Sequence, residues 1–422
     1  MHTPHLVVET REIDPVEDLL AYADPARPLA WLRRGDGIVA VGQTLSEIRP
    51  PAHAEASRVT SLASAWRDMA AHAEVSDPME LPGTGLVAFG TIAFDEDSTA
   101  DSVLVIPTQV IGRHGDRFWR TTIRFAGAAQ AGAPEHQIDL VTQPYGPHWA
   151  GTVGPGAQTP QGYQDSVRRA LTRIADGEVS KVVLARDLTG SIPAGSDLRR
   201  LVRALSTGYP DTWAFAVDGL IGASPETLVT VHGGTVTARV LAGTIGRGAD
   251  ADADTAASAQ LASSVKDLDE HQYAVQSVLA SLRAHTRALA ASEQPFLLKL
   301  PNLFHLATDV EGELASGETA LDLVRVLHPT AAVAGTPTPA AISAIRELEP
   351  FDRGRYAGPV GWVDAAGNGE WAIALRCAQF TERAGEIGVT AYAGAGIVAG
   401  SDPESELLET RVKFRPLVDA LA

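Results

Sequence analysis

The stretch Ala391–Leu421, AYAGAGIVAGSDPESELLETRVKFRPLVDAL, holds a Gly-rich strand end, a turn at Ser401-Asp402-Pro403, and then a helix. Proline in the first turn after Ser and Asp is a helix start signal. On a wheel of about 3.6 residues per turn, Leu407, Phe414, Leu417, Val418 and Leu421 form one apolar arc, and Leu408 and Val412 form another. Glu406, Glu409 and Lys413 fall in the gap between the arcs, while Glu404, Arg411 and Arg415 take the solvent side. Two carboxylates and a lysine flanked by apolar residues are partly buried, and buried charges need partners. This pattern favours a metal or ligand site over a solvated acidic face, which would put the charges on the other side.

The chain has 422 residues, 45% hydrophobic and 20% charged, an ordinary balance for a soluble globular protein. Its 34 basic and 52 acidic residues give a net charge of −18. That argues against a nucleic-acid partner, since phosphate binding needs clustered Lys and Arg. An acidic enzyme acting on an anion needs a cation or a few focused Arg and Lys residues in its site. The single cysteine, Cys377, rules out an internal disulfide, fits a cytosolic setting and should pack as a small apolar residue. The opening MHTPHLVVETREIDP has charges and a proline where a signal peptide has an apolar core. No uncharged apolar run approaches the ~18 residues of a membrane span. The expectation is a cytoplasmic, monomeric protein without a membrane segment.

Residues 1–150 read as short strands with one helix. Leu29–Leu32, Gly37–Gly42, Gly85–Gly90 and Ser102–Pro107 look like strands, and Ala54–Ala73 like a helix. No chemical motif stands out there, so this part reads as scaffold. Residues 144–162 are rich in Gly, Pro and polar residues and read as a linker or a loop crossing a face. In 151–422 the pattern is denser. Helices are expected at Gln164–Asp176, Ala256–Thr286, Thr319–Leu327 and Pro339–Glu347. Strands are expected at Val179–Arg186, Trp213–Val217, Leu220–Ala223, Val229–Val231, Val236–Leu241, Glu370–Phe380 and Ile387–Ala393. Hairpin-like strand pairs alternating with long helices predict an α+β fold with large, mainly antiparallel sheets.

Within these elements a few residues could carry chemistry. Alternation puts Lys181 on one strand face with Val183 and Ala185. A desolvated lysine there would supply a neutral amine as a base; the alternative is a solubilising edge-strand lysine. Gly222-Ala-Ser-Pro-Glu226 is a strand and tight turn presenting Glu226. In an apolar pocket that carboxyl would have a raised pKa and act as a general acid; otherwise it is a plain surface turn. Leu261, Val265, Leu268, Val275, Leu279 and Leu282 form an apolar helix stripe, with Asp267, Glu270 and His271 running from its edge to the far side. Alone that is a solvated face. With Glu406 and Glu409 it becomes a second pair of acids able to converge on a hard cation such as Mg²⁺. Zinc is disfavoured because no Cys/His set stands at ligand spacing. Arg376 shares a strand face with Ala372, Ala374 and Ala378, leaving room for a substrate carboxylate, or else it forms a structural ion pair. Gly394 and Gly396 allow close approach of backbone to a ligand. Gly243-Thr-Ile-Gly-Arg-Gly248 has its glycines in the reverse of the dinucleotide-loop spacing, with no helix evidently opening from it, and is set aside.

At these residues the sequence resembles the chorismate-utilising enzymes: isochorismate, salicylate, anthranilate and aminodeoxychorismate synthases, and the first most of all. The motifs are Lys181-Val-Val-Leu-Ala-Arg186, Gly222-Ala-Ser-Pro-Glu226, Leu241-Ala-Gly-Thr244 and Lys266-Asp-x-x-Glu-His271, then His305-Leu-Ala-Thr308 and His328-Pro-Thr330. Gly358-Pro-Val-Gly-Trp362, Gly369-Glu-Trp371, Arg376-Cys-Ala378, Gly394-Ala-Gly-Ile-Val398 and Glu406-x-x-Glu-Thr-x-x-Lys413 complete the set. The resemblance covers residues 160–415 in family order, and 1–150 only loosely. It implies one large chorismate-binding fold, with 1–150 as an N-terminal scaffold part and 151–422 as the catalytic part. It further implies Mg²⁺ held by Glu270 and Glu409, with Asp267 and Glu406 assisting. Lys181 would activate a water that attacks C2 of chorismate, and Glu226 would protonate the departing C4 hydroxyl. Arg376, Lys413 and the backbone at Gly243, Thr244, Ala332 and Gly394 would hold the carboxylates, with His305 beside the ring. Ammonia-using members typically lack the lysine at the position of Lys181, so water is the expected nucleophile and isochorismate the expected product, serving menaquinone or siderophore biosynthesis. Tyr356 and Leu375 stand where salicylate synthases also carry Tyr and Leu, which leaves pyruvate loss open. A non-catalytic binder of aromatic carboxylates is the reading from another class.

Overall fold

The computed structural model describes residues 4–50, 56–127, 140–315 and 317–422, with the backbone alone at Lys266 and Glu270. In the central strand Trp213–Val217, Trp213, Phe215 and Val217 enter one hydrophobic core, while Ala214 and Ala216 enter a second. A strand presents alternate residues to opposite faces, so both faces of this one are dry. It pairs antiparallel with Leu220–Ser224 and with Ala30–Arg33. Another early strand, Val87–Thr91, pairs with Pro359–Asp364. Among the described residues 21 strands connect through shared neighbours, and of their pairings only that of Leu6–Glu12 with Glu74–Ser76 is parallel. The α+β fold with extensive antiparallel sheet flanked by helices is the one the sequence predicts.

Two strand pairs position the functional residues. Lys181–Pro193 runs antiparallel to Glu386–Ile397, with Gly394 opposite Ala185 and Gly396 opposite Val183. A Cβ at Gly394 would stand 2.7 Å from the Leu184 carbonyl oxygen, so glycine lets these strands close at that point. Thr235–Gly246 pairs with Leu303–Leu314, and the register slips between Ala242 and Thr244. The extra residue is Gly243 at φ +78°, a bulge conformation that suits glycine. Beyond the bulge, Thr244 lies opposite His305.

The C-terminal helix spans Pro403–Leu421 and is capped by the Asp402 side chain, which accepts from the Ser405 N–H. Phe414, Leu417 and Leu421 pack into one core and Leu407 into the other. Burying each such side chain contributes roughly 1.5–3 kcal/mol before chain entropy is counted. Glu404, Arg411 and Arg415 are exposed, as the wheel predicts, and Glu406 is buried. Leu408, placed in the minor apolar arc, is 49% exposed instead.

Other expectations are corrected. The single helix expected over Ala256–Thr286 is two helices, Ala251–Ser263 and Val265–Leu282, and Thr286 begins a strand. Ser264 ends the first and caps the second, its hydroxyl accepting from the Asp267 N–H. Val265, read as part of the apolar stripe, is the first residue of the second helix and is 72% exposed. His271, read on a solvated face, is buried with Ala274, Val275, Val278 and Leu282. The strand expected at Glu370–Phe380 is split into Gly369–Ile373 and Cys377–Arg383. Within 144–162, Thr152–Pro155 is a strand paired with Thr189 and its neighbours. A helix does open at Ala251, five residues past Gly246, so that part of the case against a dinucleotide loop fails; Gly243 and Gly246 themselves belong to a strand, and the reversed spacing stands. The helix expected from Ala54 begins at Arg58, capped by Ser57, with Ala54 outside the described residues.

Candidate active site

Lys181, Glu226, Gly243, Thr244, Asp267, His305, Ala332, Arg376, Gly394, Glu406, Glu409 and Lys413 all line one cavity of about 580 Å³. They come from nine separate stretches of strand, corner, loop and helix. The Glu270 side chain lies outside the described residues.

The acid is set by a short hydrogen-bonded corner. The Ser224 hydroxyl accepts from the Glu226 N–H at 3.2 Å and donates to the Ile373 carbonyl at 2.6 Å. The Ile373 N–H in turn donates to the Glu226 carbonyl at 3.1 Å. Glu226 is 7% exposed. Burial pushes its carboxyl up to about 7, against the opposing pull of Lys181, Lys413 and Arg376. A buried carboxyl disfavours its charged form, and here desolvation outweighs three cations. At neutral pH such a group can hold and release a proton. Lys181 opens its strand, half-buried, with Val183 beside it in the cavity wall.

Arg376 does not lie on a strand face, as alternation implied. It sits at the corner between Gly369–Ile373 and Cys377–Arg383, at φ 51°. Its carbonyl accepts from the Ala223 N–H, which ties the corner to the strand Leu220–Ser224 that leads to Glu226. The side chain is buried, and burial lowers its pKa from the usual guanidinium value. The nearby carboxylates Glu409 and Glu226 act on it as charges that oppose that lowering. Lys413 donates to the Gly394 carbonyl at 2.8 Å and pairs with Glu409 at 2.5 Å. His305 shares a hydrogen bond between Nδ1 and Thr244 Oγ1 at 2.9 Å. Burial, then Arg376 and Lys413, hold its imidazole well below the usual range, so the ring is neutral. Its Nε2 is buried without a partner among the described residues.

Among the described residues no group of three or more His, Cys, Asp or Glu side chains is close enough to hold a metal ion. The donor chemistry nonetheless fits a hard cation. Asp267 from one helix and Glu406 and Glu409 from another present carboxylates to one cavity, and oxygen donors with water completing the shell suit Mg²⁺.

Arg353 and Glu349 were not singled out from the sequence. Arg353 lines the cavity and forms a buried, two-pronged pair with Glu349 at 2.9 and 2.6 Å. It also donates to the Val183 and Val333 carbonyls, and Glu349 accepts from the Ala185 N–H at 2.7 Å. The pair thus locks the Lys181 strand to the segment carrying Ala332. An acid and an arginine four apart, just past a predicted helix, were the available signal. Tyr356 and Leu375 also line the cavity.

A family model described as chorismate binding enzyme matches residues 2–422. The isochorismate synthase DhbC of Bacillus subtilis is 43% identical over 274 residues, covering 62% of this chain and 68% of that protein. The salicylate biosynthesis isochorismate synthase of Pseudomonas aeruginosa is 32% identical over 441 residues, covering 99% and 90%. The solved structure of MenF, the menaquinone-specific isochorismate synthase of Escherichia coli, superposes with a TM-score of 0.80 at 26% identity over 99% of this chain and 95% of that one.

Proposed function

The chain belongs to the chorismate-binding enzyme family, and from that premise we propose that it is an isochorismate synthase. The carrying observation is one cavity lined by both Lys181 and a buried Glu226 whose carboxyl titrates at about 7. Lys181 takes a proton from water, the hydroxide so formed bonds to C2 of chorismate, and the ring double bonds shift. Glu226 gives its proton to the C4 hydroxyl, which leaves as water, so the net change is isomerisation. Arg376 and Lys413 bind the substrate carboxylates, with the backbone at Gly243, Thr244, Ala332 and Gly394 completing the cradle. A bidentate guanidinium–carboxylate contact suits the buried Arg376. His305, neutral, lies beside the ring as a hydrogen-bonding group that adds no charge.

Mg²⁺ is the cofactor of this reading. Glu409 and Glu270 would hold it, with Asp267 and Glu406 assisting through waters. When bound, it supplies the positive charge that couples an acidic site to a dianionic substrate. The cavity-lining residues all fall in 181–413, which supports 1–150 as scaffold and 151–422 as the catalytic part. No helix among the described residues is long and apolar enough to cross a membrane; we place the protein in the cytoplasm, acting as a monomer, in menaquinone or siderophore biosynthesis.

Tyr356 and Leu375, both in the cavity wall, favour one second reading: further loss of pyruvate to give salicylate. Chromatography or NMR of the products from purified protein, chorismate and Mg²⁺ decides. Isochorismate alone is expected. Salicylate with pyruvate would establish the second reading, and unconsumed chorismate would refute both. Lys181→Ala is expected to fold normally and lose turnover by roughly 10²–10⁴-fold.

A further inference from the structure

A second, much smaller cavity of about 20 Å³ adjoins the first. Glu226 and Ala332 line both, so they form the partition between them. Its remaining wall includes Thr227, Val240, Val278 and Thr330. A single water needs roughly 10–15 Å³ and two to four polar partners, so the volume suits one water. The Thr330 hydroxyl oxygen is buried and has no hydrogen-bond partner among the described residues. Leaving such a group unsatisfied is unfavourable, and Glu226 is the buried carboxyl lining the same space.

We infer that this cavity is a binding site for one ordered water shared by the Thr330 hydroxyl and the Glu226 carboxyl, which makes Thr330 a positioning residue for the acid. The inference rests on Glu226 serving as the general acid. The water fixes the carboxyl rotamer so that one oxygen faces the substrate cavity, and it solvates the carboxylate once the proton has left. Lys181, Lys413 and Arg376 face Glu226 from the large cavity, while Arg239, paired with Asp309, lines the small one.

The test combines crystallography with kinetics on the full chain with Mg²⁺ and chorismate, using the wild type, Thr330→Val and Thr330→Ser. The wild type and the Ser variant should show a water within hydrogen-bond distance of both the residue-330 hydroxyl and a Glu226 carboxyl oxygen; the Val variant should show none. Thr330→Val should lower kcat about tenfold, the rate equivalent of one such hydrogen bond, with KM nearly unchanged. Its alkaline pH–rate limb should move upward, because a carboxylate that loses a solvating donor is harder to ionise. Thr330→Ser should restore both. A dry wild-type cavity, an unaltered Val variant, or a Ser variant as slow as Val would overturn the proposal. Should the wild type leave chorismate unconsumed, the enzymatic reading falls, and the crystallographic water alone still decides whether this site exists.

Discussion

Replacing Glu226 with Gln separates burial of a proton from burial of a charge. In the wild type the carboxyl titrates at about 7 in the folded protein, against 4.5 as the ordinary value. Each unit is worth about 1.4 kcal/mol, so ionised Glu226 costs the fold roughly 3 kcal/mol. The sign follows from proton counting. Below 4.5 both states hold the proton; between 4.5 and 7 only the folded state does, so stability falls as pH rises, and above 7 the penalty is complete. Glutamine stays neutral throughout and carries none of this penalty. Between pH 5.5 and 8.5 the stability of Glu226→Gln relative to wild type should therefore improve by about 2 kcal/mol. Denaturant unfolding of both proteins without Mg²⁺ at the two pH values reads this directly. The same proton sets the alkaline limb of kcat/KM, which reports the free enzyme and should fall off near 7. A stability gap that stays flat across this window would refute the buried, proton-holding carboxyl, and with it the assignment of the acid.

Arg376→Lys should raise the KM for chorismate at least tenfold, since a point charge cannot reproduce the guanidinium fork and losing one charge-assisted hydrogen bond costs about 1.5–3 kcal/mol; an unchanged KM would remove Arg376 from the carboxylate site. Arg353→Met strands Glu349 in the core and should destabilise the fold by about 3–5 kcal/mol in denaturant melts, while Arg353→Met with Glu349→Leu recovers part of it. Chelation with EDTA should abolish turnover and added Mg²⁺ restore it, and Glu409→Gln should shift the Mg²⁺ concentration needed for half-maximal rate upward. Activity untouched by exhaustive chelation would remove the metal from the reading.

Much of this site could be read along the chain because its residues come as short motifs whose spacing is local. Lys181 on its strand, Glu226 on its turn, and Glu406, Glu409 and Lys413 on one helix follow from alternation and helical periodicity. These depend only on backbone geometry. Where the reading erred, a local rule was carried past an unseen break. Ser264 divides a helix and leaves Val265 exposed at the start of its second part, and the corner at Arg376 divides a strand. In both places contacts with other segments set where the element ends; His271, by contrast, stands four and eleven residues before Val275 and Leu282, and helical period alone already puts it on their face.

The sequence by itself determined the antiparallel α+β fold, an acidic balance that asks for a cation or focused Arg and Lys residues at an anion site, and the list of groups able to do acid–base chemistry. Only the tertiary structure decided that these groups face one cavity, that Glu226 keeps its proton near neutrality, and that Arg353 and Glu349 brace the wall. The reason is physical: a carboxyl's pKa and a guanidinium's partner depend on which distant residues exclude water around them, and that exclusion exists only once the sheets and the C-terminal helix have closed together.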